Sequence, residues 1–135
     1  MSGPAPNPVL DLSGLLARLH DEKDRVTLPE FYDDVVEASE RTRADLDALP
    51  FSDDDWLARS ETRSIGGEVG YTVLERLWAR PAVEVLTVVA GDPVGPPTGA
   101  IPAVAAADLS IRTVPDQTVA AVAGAVAALG RGQHR

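Results

Sequence analysis

Residues 83–90 read VEVLTVVA and residues 101–114 read IPAVAAADLSIRTV, and these two runs decide the fold. The first is short and rich in valine, a β-branched side chain that is stiff at χ1 and packs well on a pleated surface, so it reads as a strand. In the second, Asp108, Ser110 and Arg112 alternate with Leu109, Ile111 and Thr113, the period of a half-buried sheet. Between them GDPVGPPTG, Gly91 to Gly99, holds three prolines and three glycines and reads as a loop with little regular structure.

Toward the C-terminus, Pro115 and Asp116 start a helix whose apolar stripe is Val119, Val122, Val126 and Leu129, with Gly130 as its stop. Toward the N-terminus, Thr72 and Glu75 fit a capping box opening the helix TVLERLWA, which Pro81 closes. Gly66, Gly67 and Gly70 mark a loop before it. Ser52 followed by Asp53, Asp54 and Asp55 places a hydroxyl cap and three acids at a helix start, with a short helix through Trp56, Leu57 and Ala58. Residues 35–48 read as a charged helix with sparse apolar contacts at Val35, Ala38, Leu46 and Leu49, ended by Pro50. Asp21 to Pro29 reads as a charged connection. Residues 9–20, VLDLSGLLARLH, carry Val9, Leu12, Leu15, Leu16 and Leu19 on one stripe, which predicts an amphipathic helix just after Pro8. The order is helix, acidic helical insert, strand, strand, helix: an α+β domain without internal repeats.

A length of 135 residues fits one small domain, and with 4% aromatic residues its core must come from Ala, Val and Leu. The net charge of −9 opposes binding to nucleic acid or to an anionic membrane, which need a basic face. The acids are concentrated between Glu30 and Asp55, where they read as a solvated helical face or, alternatively, as a docking surface for a basic partner. Absence of cysteine excludes disulfides and thiolate nucleophiles. MSGPAPNP at residues 1–8 lacks the pattern of a signal peptide, and the apolar runs around Val83–Ala90 and Val119–Leu129 are too short or interrupted to span a bilayer. The expected location is cytoplasmic.

Little in the chain points to chemistry. Its two histidines, His20 and His134, belong to no H-x-D or H-E-x-x-H pattern. Asp33–Asp34 and Asp53–Asp55 sit beside helix starts, where acids are expected for capping. Gly91–Gly99 lacks the lysine of a phosphate-binding loop.

Six strings in order nonetheless resemble one family. They are PNP at Pro6–Pro8 with LLARLHD at Leu15–Asp21, FYDDV at Phe31–Val35, LDALPF at Leu46–Phe51, GYTVLERLWARP at Gly70–Pro81, AIPA at Ala100–Ala103, and LSIRTVPDQ at Leu109–Gln117. Together they cover roughly residues 6–130 and resemble the lid, or dimerisation, domain of M20 zinc peptidases, near the dipeptidase and carnosinase-like branch. The resemblance implies a ferredoxin-like layer of two helices on a four-stranded sheet, inserted into a separate catalytic domain. Helices at 9–20 and 117–129 would be its two helices, and 83–90 with 101–114 its middle hairpin. The family's first strand is expected before residue 1 and its fourth after residue 130, so a partial ferredoxin-like lid is expected, its outer strands missing. The implied division is a flexible segment 1–8, a lid 9–130 with an insert at about 22–80, and a tail 131–135. Without the first strand, the strand at 101–114 would offer an unpaired, sticky edge.

In that family, catalysis rests on two zinc ions held by histidines and carboxylates of the catalytic domain, with a glutamate as base. The resemblance therefore implies no catalytic residue and no metal in these residues. Of the lid's substrate groups, a histidine would fall at Met1 before Ser2–Gly3, a threonine at Gly99, and an asparagine at Leu86. Only an arginine survives, as Arg112, which by carry-over would clamp a substrate carboxylate with its planar fork. The plainer reading of Arg112 is an exposed strand arginine paired with Asp108 or solvent. The implied function is a non-catalytic module that self-associates, or pairs with a full M20 hydrolase, through its hairpin edge. The alternatives are a truncated or decayed piece of an M20 dipeptidase or N-acyl amino acid hydrolase, and an acidic adaptor for a basic partner protein.

Overall fold

The capped ends in the sequence become helix ends in the computed structural model, which describes residues 3–131, with side chains through Leu129. Asn7 caps helix α1 (Pro8–Ala17), its Oδ1 accepting from the Val9 N–H at 3.0 Å, and Pro8 fills the first turn, where its missing N–H costs nothing. The helix ends earlier than expected, because Leu19 turns inward and is buried to 1% exposure. His20 then pairs with Val26 in an antiparallel bridge, so it does not sit at a helix end. The Asp21 carboxylate ties this excursion by accepting from the N–H groups of Lys23 and Arg25. Residues 19–31 are thus core-forming, contributing Leu19, Val26, Leu28 and Phe31.

The insert follows. Helix α2 (Glu40–Asp47) starts at the Ser39 cap, later than the expected 35–48, since residues 35–39 run outside any helix. Helix α3 (Asp53–Ser60) opens with a Ser52–Asp55 capping box, and α4 (Val73–Trp78) with the Thr72–Glu75 box. Neither α2 nor α3 buries a residue, whereas α4 buries Val73, Leu74 and Glu75.

Strands β1 (Ala82–Ala90) and β2 (Ala105–Arg112) pair antiparallel, Val83 with Ile111 and Val85 with Leu109. A bulge at Leu86 shifts the register, so that Thr87 meets Asp108. β2 is shorter than the expected 101–114. Pro102 has no N–H to give a ladder, and at the far end the Val114 N–H turns to the Gln117 side chain at 3.0 Å. Among the described residues the sheet has these two strands.

Helix α5 (Val119–Arg131) closes the fold. Gly130 does not stop it, and Val119, at 77% exposure, lies off the apolar stripe. The buried face is Val122 with Ala125, Val126 and Leu129, packed with Leu16, Leu109 and Ile111 around Leu19, Phe31 and Val83. Gln117 Nε2 donates to the Phe31 carbonyl at 2.8 Å and fixes where this helix begins. Among the described residues, five helices and a two-stranded antiparallel sheet make the architecture α+β.

Candidate functional site

Arg112 ends β2 opposite Ala82, on the same sheet face as Glu84 and Ser110. Its Nη2 donates to two main-chain carbonyls, those of Arg76 and Arg80, the latter at 3.3 Å. The Arg76 carbonyl lies in the last turn of α4, where helix carbonyls lack internal donors and a cation is favoured, and the Arg80 carbonyl lies two residues past the helix end. The expected pairing with Asp108 is not found. Asp108 accepts instead from Thr87 Oγ1 at 2.6 Å, because the bulge brings Thr87 opposite it and four positions of β2 separate it from Arg112.

Arg112 also lines a pocket of about 680 Å³ between the sheet, α3, α4 and the loop at Ile65–Gly67. Trp56, Ile65, Leu77 and Val83 give it apolar walls, and Arg76 and His20 add polar groups. Arg76 Nη1 donates to the Gly66 carbonyl at 2.9 Å.

Behind α4 lies a second charged cluster that no sequence signal announced as a unit. Arg80, 3% exposed, meets the Glu68 carboxylate with a two-donor fork, Nε to Oε1 at 3.0 Å and Nη2 to Oε2 at 2.8 Å. Its Nη1 reaches Glu37 Oε1 at 2.9 Å, and its guanidinium lies 4.4 Å from the centre of the Tyr71 ring. Burial works against the charge on Arg80, but the bonds and charge of Glu68 outweigh it and hold the group above the usual arginine value. Tyr71 donates to Glu37, and burial together with that carboxylate pushes its phenol up. Arg43 pairs with the buried Glu75 at 2.8 Å. Glu37 and Glu75 are therefore structural partners, while Asp33 and Asp34 face solvent.

The remaining positions singled out in the sequence do not gather around Arg112. Leu86 sits in the bulge, roughly 13 Å along the strand at about 3.3 Å per residue. Gly99 is in an exposed loop, and Met1, Ser2 and His134 lie outside the described residues. Among the described residues, no three histidine, cysteine, aspartate or glutamate side chains are grouped so that they could hold a metal ion. No helix of the described residues is long and apolar enough to cross a membrane.

Comparison with known proteins agrees with this architecture. The family model of the peptidase dimerisation domain, M20_dimer, matches residues 1–131. The fold is similar to that of an M20 family metallo-carboxypeptidase from Sulfolobus solfataricus, with TM-score 0.79 and 23% identity, covering 96% of this chain and 34% of that one. It is similar to human carnosine dipeptidase 1, with TM-score 0.83 and 23% identity, covering 98% of this chain and 28% of that one. A dipeptidase of Saccharomyces cerevisiae, Dug1p, gives TM-score 0.80 and 22% identity, covering 98% of this chain and 28% of that one. The chain thus spans about a third or less of the length of these solved structures. No curated protein sequence matches it.

Proposed function

Since the chain belongs to the peptidase dimerisation domain family of the M20 peptidases, we propose that it works as a non-catalytic lid that associates through its hairpin, with a second copy or with a full M20 hydrolase. The observation that carries this reading is the outer half of the hairpin. Leu86, Val88 and Val89 are 64%, 53% and 55% exposed, on a two-stranded sheet whose outer edges are unpaired among the described residues. An unpaired edge offers main-chain hydrogen bonds to another strand whatever the side chains, and exposed valines and leucine add apolar area to the contact. The architecture is read as part of a ferredoxin-like lid. Support comes from α1 and α5, which place Leu16 and Val122 in one core with Val83 of the hairpin.

Light scattering on the eluting chain across a concentration series tests the assembly. The expected result is a concentration-dependent dimer, lost in the variant carrying Leu86→Lys and Val89→Lys. A monomer at every concentration, alone and mixed with a full M20 enzyme of the same source, would overturn it.

A second reading, the lid of an eroded hydrolase, is favoured by Leu86 and Gly99, which stand where the family resemblance implies substrate-binding groups. Arg112 is then the surviving carboxylate clamp, with Nη2 also engaged on the carbonyls of Arg76 and Arg80. Its discriminator is genetic: an adjoining reading frame that carries the metal-ligand strings.

A further inference from the structure

We draw no further inference here: the strongest candidate, the exposed apolar side chains of Val36, Val69 and Trp78 beside the Arg80–Glu68–Glu37 cluster, carries none, because nothing in the structure shows what covers them.

Discussion

Two halves of this molecule are held together by different forces. The half made of α1, residues 19–31, the hairpin and α5 rests on apolar contact, centred on Leu19, Phe31, Val83 and Val122. The insert, from Glu37 to Arg80, buries Val73 and Leu74 of α4 and adds direction-dependent bonds: two capping boxes, the Arg80–Glu68–Glu37 cluster and the Arg43–Glu75 pair. Its helices α2 and α3 bury nothing. A chain with few aromatic side chains has apolar area for one modest core, and an acidic insert must be fixed by geometry instead. The cost is sensitivity to the loss of single partners, since a buried charge left alone is worse than no charge.

The largest expected effect follows from that asymmetry. Arg80→Met strands the Glu68 carboxylate, only 5% exposed, and should cost about 3–5 kcal/mol in chemical denaturation. Adding Glu68→Leu should recover most of the loss, because the pair's net contribution is small once both charges are gone. If the single variant melts like the parent, the insert is not held by this cluster.

Next comes the apolar half. Leu19→Ala removes a side chain buried to 1% exposure and should cost about 2–5 kcal/mol. Leu49→Ala, in the insert and 41% exposed, should change stability by about 0.5 kcal/mol or less. Equal effects at the two sites would erase the distinction between the halves.

What the sequence disclosed follows the same division. Ser52–Asp55 and Thr72–Glu75 were legible because a capping box is written within four consecutive residues. The alternation at Leu109–Arg112 was legible because a strand repeats every second residue. Leu19, Val26, Leu28 and Phe31 were not, since a tight excursion pinned by Asp21 has no period to read. Arg80 and Glu37 are 43 residues apart, and only the folded path brings them together. Arg112 could be singled out from its string, but its bonds to the carbonyls of Arg76 and Arg80 depend on where α4 ends, which no local pattern encodes.

The smallest effect separates the halves by pH. Burial, and donation to Glu37, raise the Tyr71 phenol above its ordinary value of 10.0. A group with a raised folded pKa stabilises fully below its unfolded value, and that contribution is lost as pH rises through the folded one. Denaturation followed as pH rises from the ordinary tyrosine value of 10.0 upward should therefore show falling stability. Tyr32 is also raised, chiefly by burial, but it belongs to the apolar half, where its hydroxyl accepts from the Val26 N–H at 2.9 Å. Tyr71→Phe should flatten only part of the alkaline loss and leave the Tyr32 share in place. Hydrogen exchange can assign the two parts: ionisation of Tyr71 brings a second negative charge against Glu37, so protection in α4 should fall first. Should the hairpin amides lose protection before those of α4, the cluster around Arg80 is sturdier than the core, and the order of the two halves must be reversed.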